Sequence, residues 1–117
     1  MDKNHIKEQK HIADEIVNAL QDGKAVDTVL LKVSDMTSIT DFMIISSGQT
    51  YRQIKALAKR VTEKAFFYGI KPLGIEGETS GDWVLIDLGD VIVHLMRPET
   101  REFYNLEKLW LTTSMKQ

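Results

Sequence analysis

Apolar residues recur along the chain at two spacings, and these spacings predict most of its helices and strands. In residues 6–22 the apolar side chains fall three or four apart, which predicts an amphipathic helix with Gly23 as its C-terminal stop. A second helix is predicted to run from a capping Thr50 to Gly69. Its predicted buried face consists of Tyr51, Ile54, Ala58, Val61, Ala65 and Tyr68.

Five shorter segments are rich in apolar residues, and each is predicted to form a strand. They are residues 26–33, residues 41–46, a short strand within 70–75, residues 83–87 and residues 91–96. The last two are joined by a tight hairpin in which Gly89 can adopt a positive φ. Their nearly continuous apolar character predicts burial on both faces, as in a sheet covered by helices.

The end of the chain completes the predicted fold. Pro98 ends the last strand, and residues 101–110, "REFYNLEKLW", predict a closing helix with Trp110 on its apolar side beside Leu106 and Leu109. The element order is therefore αββαβββα. We expect one α/β domain of 117 residues, with a mixed sheet of about five strands flanked by helices.

Composition excludes several classes of protein. The chain has no Cys, which rules out disulfides, thiolate catalysis and Cys-ligated metals. Its first residues are polar and lack the apolar core of a signal peptide, and no apolar run approaches the length of a membrane span. We therefore expect no membrane association, and a location in the cytoplasm or an organelle matrix.

The formal net charge of −2 conceals an asymmetry along the chain. Residues 1–71 hold 11 basic and 9 acidic side chains, whereas residues 72–107 hold 8 acidic and only 2 basic ones. Such an acidic stretch is usually a solvated surface. The functional alternative is an acidic surface that meets a basic partner.

Each candidate catalytic motif in the sequence is incomplete. "GIEGETSG" (74–81) matches no phosphate-binding loop, and no Ser has the G-x-S-x-G context of a serine hydrolase. Metal-dependent phosphoryl transfer needs two carboxylates spaced two residues apart on a strand, and neither Asp41 nor Asp87 has such a partner. The three His residues do not form a metal set, and His94 is expected to be a hydrogen-bonded core or rim histidine. We expect no catalytic residue, cofactor or metal.

The second helix carries a basic stripe, which suggests RNA binding as a different function. Arg52, Lys55, Lys59 and Arg60 fall opposite the predicted buried face, where they could contact RNA phosphates. No aromatic residue is interleaved among them, so a solvated helix face is the better interpretation. An RNA-binding module stays open as an alternative.

Three longer segments resemble the ribosomal silencing factor family, also called RsfS or Iojap-like proteins. They are "TDFMIISSGQTYRQIKALA", "GDWVLIDLGDVIVHLM" and "RPETREFYNLEKLW". The resemblance extends from about residue 5 to residue 110, which makes residues 1–117 a single RsfS-like domain. It implies a catalytically degenerate relative of the nucleotidyltransferase fold, consistent with the missing carboxylate pair.

The resemblance also implies a function and a partner. Family members bind the large ribosomal subunit through universal ribosomal protein fourteen, block joining of the small subunit and repress translation when nutrients are short; a role in large-subunit assembly is the alternative. Peripheral rRNA contact and a homodimer are possible from the family. We expect the acidic half to be the docking surface, with contacts from Glu76, Asp82, Trp83, Asp87, Arg97, Glu99, Arg101 and Tyr104.

Overall fold

The computed structural model describes the backbone of residues 3–115 and the side chains of residues 4–110. Nine elements follow one another along this part of the chain: α1 (Lys3–Asp22), β1 (Val26–Lys32), β2 (Phe42–Ser47), α2 (Tyr51–Phe67), β3 (Gly74–Glu76), β4 (Trp83–Asp87), β5 (Val91–Met96), α3 (Pro98–Tyr104) and α4 (Leu106–Met115). The predicted fold class, a mixed five-stranded sheet flanked by helices, is confirmed.

The strands are arranged in the order β1-β2-β5-β4-β3. The central pair, β2 and β5, is parallel, and every other neighbouring pair is antiparallel. The β4–β5 hairpin turns through residues 88–90, where Gly89 has a φ of 89°, as its position predicted. In the parallel pair Phe42 lies beside Val91, so both strands begin at the same edge of the sheet.

The two long helices cover one face of the sheet, which we call the covered face. Ile16 and Leu20 of α1 and Ile54 and Val61 of α2 are fully buried there, and on the strands they meet side chains such as Ile86. Thr50 caps α2 as predicted, accepting a hydrogen bond from the backbone N–H of Gln53 at 3.0 Å. Burial of this apolar area supplies the main stabilisation of the domain.

The predicted buried face of α2 is correct at its centre and wrong at its first residue. Ile54, Ala58, Val61 and Ala65 are buried, but Tyr51 is 49% exposed. Tyr51 occupies the first position of the helix, where the chain has already left the sheet, and its ring stacks under the guanidinium of Arg97 instead.

The opposite face of the sheet, which we call the open face, has a much thinner cover. Its buried cluster consists of Val33, Met43, Ile45 and Met96, against which Leu106 and Trp110 of α4 pack. The prediction that Trp110 lies on the apolar side of the closing helix is confirmed, whereas Leu109 is 62% exposed. As far as their described side chains reach, up to Trp110, the short helices therefore leave part of this face uncovered.

The predicted closing helix is in fact two helices. Asn105 takes the left-handed conformation with a φ of 47°, and its N–H donates to the carbonyl of Arg101 at 2.8 Å, which ends α3. Asn tolerates this conformation better than most residues, so the chain turns there and α4 begins at Leu106. The predicted strand within 70–75 is also shorter than expected, because only Gly74–Glu76 pairs with β4.

None of the helices in the described part of the chain is both long and apolar enough to cross a membrane.

Candidate functional site

The uncovered part of the open face lies over β4 and β5. Along β4 the exposure alternates: Val84 and Ile86 are buried under the long helices, whereas Trp83, Leu85 and Asp87 are only half-buried on the open face. The continuous apolar pattern of β4 had predicted burial on both faces. That prediction is wrong for β4, because the described side chains of the short helices leave Leu85 only half-buried.

Aromatic residues border this uncovered area. The indole N–H of Trp83 donates to Nδ1 of His94 at 3.0 Å, and the Trp83 ring lies 4.9 Å from the ring of Tyr104, centroid to centroid. Tyr104 is 54% exposed and also contacts Phe103, which is 80% exposed. Trp83 is thus held in one orientation by the chain while keeping part of its ring accessible, which suits a rigid anchor for a partner.

His94 holds the Trp83 ring in place and carries no charge near neutral pH. It is 6% exposed, and burial lowers its pKa to about 4. The neutral ring can accept the Trp83 hydrogen bond on Nδ1, whereas a doubly protonated ring could not. The prediction of a hydrogen-bonded core or rim histidine is confirmed, and the structure places the ring in the core.

Acidic side chains lie next to the apolar area. Glu76 is exposed at the end of β3 and is paired in register with Leu85, while Asp82 is exposed immediately before Trp83. Glu99 is exposed in the first turn of α3. Asp87 is half-buried, and its Oδ1 accepts a hydrogen bond from the N–H of Gly89 at 2.9 Å, so it also fixes the hairpin turn.

The two arginines that sequence analysis assigned to the surface are both engaged within the chain. Arg101 is 9% exposed; its guanidinium donates to Glu107 at 2.6 Å and to the Ser47 hydroxyl at 2.9 Å, fastening α3 to β2. This interior position gives Arg101 a structural role, so it is left out of the docking surface proposed below. Arg97 is half-buried, stacks 4.7 Å over the Tyr51 ring and pairs with Glu99 at 3.1 Å.

Part of this surface cannot be recognised from the sequence. Leu85 and Ile92 are half-buried on the open face, although the continuous apolar runs in which they lie predict core residues. Only the position of α4, over the other half of the face, distinguishes them from the true core. No signal in the sequence gave that position.

The basic stripe of α2 lies elsewhere. Arg52, Lys55, Lys59 and Arg60 are all exposed, as predicted, on a helix that packs against the covered face. The exposed basic side chains and the aromatic-acidic area of the open face therefore belong to opposite sides of the sheet.

The comparisons with known proteins agree on one family. Residues 6–117 match the family model described as "Ribosomal silencing factor during starvation". The chain is 43% identical to ribosomal silencing factor RsfS of Chromobacterium violaceum over 103 residues, which covers 88% of this chain and 84% of that protein. A crystal structure of a protein from the same organism superposes with a TM-score of 0.84 at 42% identity, covering 86% of this chain and 84% of the other.

A more distant relative comes from an animal. The chain is 34% identical to the mouse (Mus musculus) protein named "Mitochondrial assembly of ribosomal large subunit protein 1", over 86% of this chain and 46% of that protein.

Proposed function

The chain belongs to the ribosomal silencing factor family, and from this we propose that it binds the large ribosomal subunit and prevents the small subunit from joining it. Translation would then be repressed by occlusion of a surface, without a chemical step. The proposed contact on the large subunit is universal ribosomal protein fourteen. The proposed location of this binding is the cytoplasm. The observation that carries the proposal is the uncovered, aromatic-bordered area of the open face, formed by Trp83, Leu85, Ile92 and Tyr104.

The chemistry of this area fits a protein partner better than RNA. Half-exposed Leu85 and Ile92 offer apolar contact, and Trp83 is already fixed by its bond to His94, so little side-chain entropy is lost on binding. Exposed Glu76 and Asp82 repel phosphates but attract a basic protein surface. The area would therefore select a basic ribosomal protein over the rRNA around it.

Subunit reassociation in a sucrose gradient tests the proposal directly. Purified large and small subunits are mixed with and without the protein, and we expect the protein to co-sediment with large subunits and to lower the yield of whole ribosomes. Leu85→Glu, which places a charge in the apolar area, should restore reassociation. Ala56→Glu adds the same charge at an exposed position of α2 and should act as wild type. Normal reassociation under saturating wild-type protein contradicts the proposal.

A second candidate function is assistance in large-subunit assembly, which the name of the mouse relative suggests. The same docking surface would serve it, because an assembly factor also has to hold the large subunit. The two functions differ in the particle that is bound. Preferential binding to immature large subunits, with no effect on the reassociation of mature ones, would favour assembly.

A further inference from the structure

Three side chains from distant parts of the sequence converge at one edge of the sheet. Nε2 of His5, in the first turns of α1, lies 3.6 Å from Oδ2 of Asp41 and 3.5 Å from Oδ2 of Asp90. One donor atom from each residue can be chosen so that all three lie within 4.8 Å of one another. The cluster lies where β2 and β5 begin, at the opposite end of β2 from Ser47.

The backbone holds the two carboxylates together. The carbonyl oxygen of Asp90 accepts hydrogen bonds from the N–H of Asp41 at 3.1 Å and from the N–H of Phe42 at 3.0 Å. The carbonyl of Asp41 in turn accepts from the N–H of Val33 at 2.9 Å. Two carboxylates fixed side by side repel each other unless a cation lies between them.

Asp41 also lacks, among the described residues, a hydrogen bond that its buried side chain needs. The residue is 6% exposed, and its Oδ2, the atom that points towards His5, has no hydrogen-bond donor among the described residues. A buried carboxylate oxygen without a partner is costly, so native structures almost always supply one. Protonated His5 is a poor donor here, because 3.5–3.6 Å exceeds the usual N–H···O distance of about 2.7–3.2 Å.

The same distances suit two ligands of one metal ion. Metal–ligand bonds of about 2.1 Å in a tetrahedral site place neighbouring ligand atoms roughly 3.4 Å apart. One imidazole nitrogen with two carboxylates is a donor set for zinc and similar ions, whereas magnesium and calcium prefer oxygen alone. His5 and Asp90 are partly solvent-exposed, which leaves an entry path and room for water ligands.

We propose that His5, Asp41 and Asp90 form a binding site for a divalent transition-metal ion of the zinc class, which fastens the first turns of α1 to the edge where β2 and β5 begin. The two carboxylates neutralise the ion, and His5 joins the helix to it. Ion binding then stabilises the folded chain, because the unfolded chain does not hold the three ligands together. The site is independent of the docking surface and of the proposed function.

Titration of the untagged full chain with zinc chloride, followed by calorimetry and thermal melting, tests the site. We expect one zinc ion per chain and a higher melting temperature, and no comparable effect of magnesium. His5→Ala removes a ligand and should weaken zinc binding by at least about tenfold. His11→Ala removes the next histidine of the same helix, which lies against Tyr68, and should leave zinc binding unchanged. Asp90→Asn, at a half-exposed position, should behave like His5→Ala.

Cobalt in the site can be followed by its visible absorption, which reports on the coordination of the ion and not on protein stability. A cobalt-loaded wild-type chain should show the visible absorption of a four- or five-coordinate ion, and the His5→Ala chain should lose it. The proposal is overturned if wild type binds no zinc. It is equally overturned if folded His5→Ala and Asp90→Asn chains bind zinc as wild type does, or if His11→Ala abolishes the binding.

Discussion

The two faces of the sheet are built from similar strand residues but have different surroundings. On the covered face Ile86 is fully buried beneath α1 and α2, whereas its neighbour Leu85 is half-buried on the open face. Both residues are aliphatic and adjacent on β4. Apolar residues along a strand can therefore lie in the core or stay accessible at the surface, and the placement of the helices decides which of the two a position does.

The largest effect on stability is expected from a substitution on the covered face. We predict that Ile86→Ala lowers the free energy of unfolding by about 2–5 kcal/mol, because it removes buried methyl groups and leaves a cavity. Leu85→Ala, one residue away, should lower it much less while weakening binding to large subunits. Chemical denaturation of both variants and subunit co-sedimentation measure the two effects. Equal destabilisation by the two substitutions would show that both faces are equally covered.

We expect the stability of the protein to depend on pH through His94, a residue of the open face. The pKa of His94 is about 4 in the folded protein and lies near 6.5 when the ring is exposed, so the unfolded chain takes up a proton first as the pH falls. Stability is therefore lost between about pH 6.5 and pH 4, by at most about 3 kcal/mol. His94→Asn keeps an acceptor for Trp83 but does not titrate. Denaturation at several pH values should show a shallower loss for His94→Asn, and parallel curves would contradict this.

The smallest expected effect on folding concerns the charges around the open face. We predict that Asp82→Lys combined with Glu99→Lys changes the melting curve little, since exposed charges contribute less than about 1 kcal/mol. The same variant should bind large subunits at least about tenfold more weakly, a loss of about 1.4 kcal/mol or more. Asp35→Lys combined with Glu63→Lys makes the same change in charge at other exposed positions and serves as the control. Equal binding by the two double variants would place the docking surface elsewhere.

Local sequence signals predicted the helices and strands well, whereas contacts between residues far apart in the sequence were harder to predict. Thr50 and Gly89 act through neighbours a few residues away, so their roles could be predicted. Arg101 was assigned to the surface because nothing local shows that Ser47 lies within its reach. Trp83 is a predicted anchor from its place beside the acidic turn, and its hydrogen bond to His94 depends on the pairing of β4 with β5.

The cluster at the sheet edge was missed for the same reason. Two carboxylates two residues apart on one strand are visible in a sequence, whereas Asp41 and Asp90 meet across two strands and His5 reaches them from a helix. Only the strand order, with β5 inserted between β2 and β4, brings these positions together. Strand order follows from the packing of the whole domain and leaves no local signal.

The parallel pairing of β2 with β5 has a consequence for how the chain folds. These strands are separated in sequence by α2, β3 and β4, so their ladder closes a long loop and should form after the local β1–β2 and β4–β5 hairpins. Pulse-labelled hydrogen exchange during refolding would show this order, and simultaneous protection of all the strands would contradict it. During synthesis, β5 is the last strand of this sheet to emerge. A nascent chain that still lacks β5 therefore has no assembled open face, and the surface proposed to hold a ribosome forms only after β5 has been translated.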